Sequence, residues 1–214
     1  ALALNFAWKA AVQHHTPVGI FSIEMPAEQL VKRLISAASC VSLKKITTGT
    51  IAGQDRMKVA SAVKEVAEAP IYIDDTPGNK LMDIIAKARK LQAAVPDLGL
   101  LVVDYLGLVE TGSKGKASNS GDSRQEEVRK ISLALKGLAR ELNVPIIVIS
   151  QLSRDVEKRE SKKPMMSDLR DSGSIEQDAD VIMLLYREDY YSDGEKKSYE
   201  NKKGGRLTQN DKFE

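Results

Sequence analysis

Cysteine is almost absent from this sequence: Cys40 stands alone among 214 residues, so no internal disulfide is available and a bridge-held scaffold is excluded. That usage suits a reducing compartment. The two histidines, His14 and His15, have no cysteine or carboxylate at metal-ligand spacing, and no CxxC pair occurs, which argues against a zinc site. Long apolar runs are missing as well. The longest, Leu98 to Val109, is broken by Asp104 and falls short of the ~18 residues of a membrane span. No secretory or transit signal is recognisable, so the expected location is cytoplasmic, with no membrane partner. Nor does one sign of charge dominate. With 32 basic and 30 acidic side chains the net charge is +2, which argues against coating the whole surface with nucleic acid but leaves room for local phosphate contacts. A GxSxG elbow and a Cys/His nucleophile arrangement are both lacking.

What is present is an ordinary globular composition, 42% hydrophobic and 29% charged, enough for one domain or one domain with a tail. A chain of this size buries about 70% of its unfolded surface and needs no staple. Ala1 to His14 is rich in helix formers, with Leu2, Phe6 and Val12 at near-helical spacing; it has no cap and reads as a helix cut at its first turn. Val18 to Ile23 predicts a buried strand ending at Glu24. A helix follows from Pro26 to about Ser39, with Leu30, Leu34 and Ile35 on one face. Further helices are predicted over 54–68, 81–93 and 126–142, and further strands over 71–75, 100–104, 144–149 and 181–186. Residues 111–123 are Gly/Ser-rich and read as a flexible loop. Strands that are apolar throughout and alternate with helices indicate an open α/β fold, a mainly parallel sheet with helices on both faces. The expected division is a core over 1–187 and a polar tail over 188–214. From Arg187 onward, seven basic and seven acidic residues leave little to bury.

Ligands of open α/β sheets bind beyond the carboxyl ends of the strands, which directs attention to three residues. Asp104 ends the apolar strand Leu100 to Val103, the pattern of a Walker B carboxylate that holds Mg²⁺ through water; a loop or capping carboxylate is an equally ordinary reading of position alone. The next residue is Tyr105, not a glutamate, so a carboxylate to position a hydrolytic water must come from elsewhere. Glu24 is the candidate, although a carboxylate just before a helix also favours that helix's positive end. Gln151 offers a neutral amide that can contact a terminal phosphate, and otherwise reads as a capping amide. Arg170, beside Ser172 and Gly173, suits a turn that touches phosphates, against the alternative of a surface turn with an ion pair. Residues 151–173 hold six basic and five acidic side chains, so bulk charge does not decide this. Lys114, Lys116 and Arg124 in or beside the Gly/Ser-rich loop offer further nucleic-acid contacts or merely solvate it.

Four strings in order, Phe21-Ser-Ile-Glu-Met25, Val102-Val-Asp-Tyr-Leu106, Ser150-Gln-Leu-Ser-Arg154 and Asp168-Leu-Arg-Asp-Ser-Gly-Ser-Ile-Glu-Gln-Asp-Ala-Asp180, resemble the motor domain of the DnaB family of replicative DNA helicases over roughly residues 1–187. Ile71 to Gly78 also looks like a family segment, and Ala1 to Ala7 like the helix that follows the family's phosphate loop. The resemblance implies a RecA-like core that works as a homo-hexameric ring, hydrolyses ATP with Mg²⁺ at subunit interfaces and moves on single-stranded DNA, with primase and a helicase loader as partners. It makes Glu24 the catalytic glutamate, Asp104 the Mg²⁺-holding aspartate, and Gln151 the residue that couples the terminal phosphate to DNA. Arg170, Asp171 and Gly173 match one DNA-binding loop, and residues 111–124, with Lys114, Lys116 and Arg124, the other.

The sequence also departs from the family pattern. No G-x-x-x-x-G-K-[ST] occurs, and the family's trans-acting arginine and N-terminal collar are not recognisable; Lys202, Lys203 and Arg206 lie in the polar tail and are poor substitutes. These 214 residues by themselves are therefore expected to be inactive. A non-catalytic RecA-like module that binds nucleic acid or assembles with a ring is the alternative from another class. A recombinase or circadian-clock-type ATPase on the same core is disfavoured by the 168–180 string.

Overall fold

A computed structural model describes residues 2–104, 106–109, 121–169 and 173–187. In chain order these form helix α1 (Leu2–Gln13), strand β1 (Val18–Ser22), helices α2 (Ala27–Ser39), α3 (Leu43–Thr48) and α4 (Gln54–Glu68), strand β2 (Ile71–Asp74), helix α5 (Leu81–Ala94), strand β3 (Leu100–Asp104), helix α6 (Gly121–Leu142), strand β4 (Ile146–Val148) and helix α7 (Gly173–Asp178). The four strands make one sheet in the order β2-β1-β3-β4, and every pairing is parallel. The expected open α/β class is therefore the observed one.

Alternation along each strand explains the two-sided core. Val18 and Ile20 of β1 and Leu100 and Val102 of β3 point to one face, where they pack against Ala3, Ala7 and Ala11 of α1 and Leu30 of α2. Phe21, Leu101 and Val103 point to the other, against Ile84, Ile85 and Ala88 of α5 and Val128, Ile131, Leu135 and Leu138 of α6. Because both faces are covered, neither strand tolerates a polar residue before its end.

Several boundaries differ from the sequence-based expectation. In α1 the buried stripe is Ala3, Ala7 and Ala11, whereas Leu2 and Phe6 remain 37% and 38% exposed. Alanines at this spacing let the helix axis approach the sheet closely, so the smaller side chains occupy the inner face. Helix α6 begins at Gly121, five residues before the expected start at Glu126, which takes Arg124 out of the loop and onto the first turn of a helix. Helices α3 and α7, short and polar, escape a periodicity argument altogether. Residues 181–186 do not form the expected strand: Val181, Met183 and Leu185 are 76%, 55% and 63% exposed, and no described strand pairs with them. An apolar run becomes a strand only when a neighbour supplies hydrogen bonds, and composition does not reveal the neighbour. Lys114 and Lys116, together with Tyr105 and the tail over 188–214, lie outside the described residues. No helix among the described residues is long and apolar enough to cross a membrane.

Gly19 sets how closely α5 seats on the sheet. A Cβ there would come within 2.7 Å of methyl groups of both Leu101 and Leu91. The variant Gly19→Val is expected to lose about 1–3 kcal/mol through overpacking, read as a lower midpoint with unchanged slope in urea denaturation.

Candidate active site

Parallel pairing places the carboxyl ends of all four strands along one edge. In the register of β1 and β3, Ser22 lies opposite Asp104, and the Ile23 N–H continues the ladder by donating to the Asp104 carbonyl at 2.8 Å. On the far side of β3, Ile149 N–H donates to Val103 C=O at 3.0 Å and Leu106 N–H to Ile149 C=O at 2.9 Å. Gln151 thus emerges from the strand next to Asp104, and Glu24 from the strand on its other side. Neighbouring strands are spaced ~4.8 Å, so the three ends span about 10 Å with Asp104 in the middle.

Each side chain owes its place to local structure. The Ser22 hydroxyl donates to the Met25 carbonyl at 2.7 Å, closing a tight turn that leaves Glu24 exposed. The helix that follows is capped from a distance: Asp75, just after β2, accepts from the Ala27 N–H at 2.8 Å. Glu24 is therefore not needed as the capping carboxylate of α2, and it makes no hydrogen bond among the described residues. The Asp75 turn is braced in turn by Lys87, whose ammonium donates to Asp74 at 3.0 Å, Thr76 Oγ1 at 2.9 Å and Asn79 Oδ1 at 2.9 Å. Burial alone would push the Asp74 carboxyl up, but the Lys87 ammonium, the Thr76 hydroxyl and N–H and the Asn79 amide hold it down at about 2. Sequence reasoning singled out the segment 71–78 only by resemblance and assigned Asp74 and Asp75 no role. A pair of aspartates between a strand and a Thr-Pro-Gly-Asn turn was the available signal.

Asp104 is half-buried and its carboxyl is pushed above the ordinary value, first by burial and then by the negative charge of Glu24, with Arg33 opposing. Two carboxylates thus lie close together at this edge of the sheet. Helix α1 lies on the face toward which Asp104 points by strand parity. It hands over to β1 through residues 14–17 and so runs antiparallel to the strands, bringing its N-terminal end over this same edge. Two carboxylates on neighbouring strand ends favour a dication, so the residues present fit Mg²⁺. No cluster of three or more metal-binding side chains occurs among the described residues.

The sequence matches the family model of the DnaB-like helicase C terminal domain over residues 1–210. The chain belongs to that family. It is similar to the replicative DNA helicase DnaB of Geobacillus stearothermophilus, 47% identical over 202 residues that make up 94% of this chain and 42% of that protein. The replicative DNA helicase DnaC of Bacillus subtilis (strain 168) is 46% identical with the same coverage, 94% and 42%. Among solved structures, one described as an ATPase domain superposes with a TM-score of 0.82 at 37% identity, covering 89% of this chain and 66% of that one. A DnaB-like replicative helicase, described with its interactions with primase, gives a TM-score of 0.77 at 38% identity, covering 88% and 45%. The chain thus spans about 42% of the length of the curated relatives it matches, and its sheet is the RecA-like sheet of DnaB-type ATPase domains.

Within that fold the candidate residues fall into two groups. Glu24, Asp104 and Gln151 are brought together on adjacent strand ends. Of the residues matched to DNA-binding loops, Arg170 and Asp171 lie outside the described residues, Gly173 opens α7, and Arg124 sits on the first turn of α6.

The raised Asp104 carboxyl has a consequence for stability. The folded state holds this proton more tightly than the unfolded state, so stability falls as pH rises from about the unfolded value of 3.8 through the raised folded value. Asp104→Asn removes that penalty. It is expected to raise the thermal midpoint at pH 7, with the gain shrinking as pH falls toward 3.8, measured by circular dichroism melts across pH.

Proposed function

We propose that these residues form the motor of a replicative DNA helicase, which hydrolyses ATP with Mg²⁺ and moves along single-stranded DNA as a homo-hexameric ring in the cytoplasm. Membership of the DnaB-like family supports the activity class. The observation that carries the residue roles is the convergence of Glu24, Asp104 and Gln151 on three neighbouring strand ends. Glu24, exposed at the tip of its turn, accepts a proton from and orients the attacking water. Asp104 would hold Mg²⁺ through water, and the ion would supply positive charge to offset the negative charge that develops on the phosphoryl group during transfer. Gln151 hydrogen-bonds the terminal phosphate through a neutral amide, so the contact is lost when that phosphate leaves. Arg170, Asp171 and Gly173 hold the DNA backbone, with Lys114, Lys116 and Arg124 adding contacts from the other channel segment. Such contacts carry no base information. Primase and a helicase loader are the expected protein partners.

A purely assembling module has less support. Half-burying Asp104 beside Glu24 costs stability, and a protein that never meets a cation has no use for that arrangement.

In the full-length protein, Glu24→Gln is expected to lower the ATPase rate by at least ~10² while leaving nucleotide binding in place. An unchanged rate would remove Glu24 from the mechanism. For Arg170→Ala, single-stranded DNA binding should weaken and the slope of log K against log salt should become shallower by about 1. Unaltered binding at two salt concentrations would return Arg170 to an ordinary surface turn.

A further inference from the structure

Helix α2 begins without a local cap. Pro26 occupies the cap position with φ −59° and ψ 147°, and its ring has no atom that can accept a hydrogen bond. Serine, threonine, aspartate or asparagine is the usual choice there, because a side-chain oxygen satisfies one of the free N–H groups of the first turn. Glu28, the acidic residue of that turn, is taken by Lys32 one turn further on. The Ala27 N–H is met instead by the carboxylate of Asp75, 48 residues away at the end of another strand, at 2.8 Å.

Asp74 and Asp75 leave β2 on opposite faces of the sheet. Asp74 pairs in register with Phe21, whose side chain lies on the α5 face. There its carboxylate is gripped by Lys87 of α5, the Thr76 N–H and the Asn79 amide at 3.0, 3.1 and 3.1 Å. Ile71 and Ile73 pack with Leu30 of α2 on the other face, and Asp75 continues their alternation. The end of β2 therefore ties α5 to α2 through the sheet. A cap at position 26 would satisfy the same N–H without fixing α2 to any other element.

Only Glu24, Met25 and Pro26 lie between two backbone tethers, the Ile23 N–H on the Asp104 carbonyl at 2.8 Å and the Ala27 N–H on Asp75. The Glu24 side chain has no hydrogen bond of its own among the described residues, and it faces the like charge of Asp104. Its place is thus set by the backbone on either side. We infer that Asp75 is a positioning residue for Glu24: by holding the Ala27 N–H it fixes the far end of this short span, and so keeps the Glu24 carboxylate where it orients the attacking water. The inference rests on the role given above to Glu24 and adds the residue that fixes its reach. With the tie cut, the span is anchored at one end and the carboxylate drifts from the water.

The test uses the full-length protein, with kcat and KM for ATP measured alongside affinity for a fluorescent ADP analogue and the thermal midpoint. In Asp75→Ala, kcat is expected to fall ~10-fold or more, within the ~10² that a misplacement of about an ångström can cost, while KM and ADP affinity stay within about twofold of the parent. Ala27→Pro removes the donor of the same pair; proline is favoured as a first helical residue, and the extended ψ of Pro26 accommodates it. It should lower kcat alike, and the double variant should be no slower than either single one. Asp75→Asn keeps an oxygen acceptor for the Ala27 N–H and should recover most of the rate. Added to Glu24→Gln, Asp75→Ala should cost nothing further, since changes that act through one group are not additive. A rate as low in Asp75→Asn as in Asp75→Ala would overturn the inference, because the charge and not the tie would then matter. Additive losses with Glu24→Gln would overturn it too, as would loss of the folded state in both Asp75→Ala and Ala27→Pro, because the tie would then be structural. An unchanged rate in Glu24→Gln overturns both the role of Glu24 and the positioning built on it; a rate lost in Glu24→Gln but kept in Asp75→Ala overturns the positioning alone.

Discussion

The in-register pairing of β1 with β3 is the constraint on which the rest depends. Five residue pairs, from Val18 with Leu100 to Ser22 with Asp104, lie side by side in the interior, nearly all apolar and covered on both faces. A slip of one residue would send every side chain to the opposite face, so the register is held by the whole core. Asp104 sits where that core ends, and Glu24 lies just past its partner strand. The proximity of the two carboxylates is thus enforced by the burial of residues that take no part in any chemistry.

The same edge is reinforced from outside the strands that carry the candidates. Lys87 on α5 ties together Asp74, Thr76 and Asn79, and the neighbouring Asp75 reaches the first N–H of α2. The turn bearing Glu24 is consequently held at both ends, by Ser22 on the strand side and by a capped helix on the other. Across the sheet, the 152–169 loop is closed in a comparable way by Asp168. Exposed residues at the strand ends are therefore supported by partly buried polar anchors behind them. Rigid support of this kind is what positioning chemistry requires.

Much of the fold was legible in the residues. Val18 to Ser22 and Leu100 to Val103 are apolar at every position but Gly19 and Ser22, and such runs have few stable homes other than the middle of a covered parallel sheet. The helices that failed to show, α3 and α7, are short and carry no periodic stripe. The strand that failed to form, 181–186, has all the right residues and no described neighbour. In α1 the apolar pattern pointed to Leu2 and Phe6, yet the alanines face the sheet, since closeness of approach outweighs side-chain size along that contact. For the candidate site, the strand-end rule picked out Glu24, Asp104 and Gln151, while the role of Asp75 stayed hidden because its partner, the Ala27 N–H, lies 48 residues away.

From the sequence alone came the α/β class, the three polar strand ends and the resemblance to DnaB-type motors. These rest on local pattern, which short segments carry by themselves. Tertiary structure decided which strand ends are neighbours, that α2 is capped by Asp75 so that Glu24 is left exposed, and that Leu152 and Leu169 form one antiparallel bridge. Those are pairings between residues distant along the chain, and their free energy depends on which surfaces are buried together, a property of the assembled core that no single segment contains.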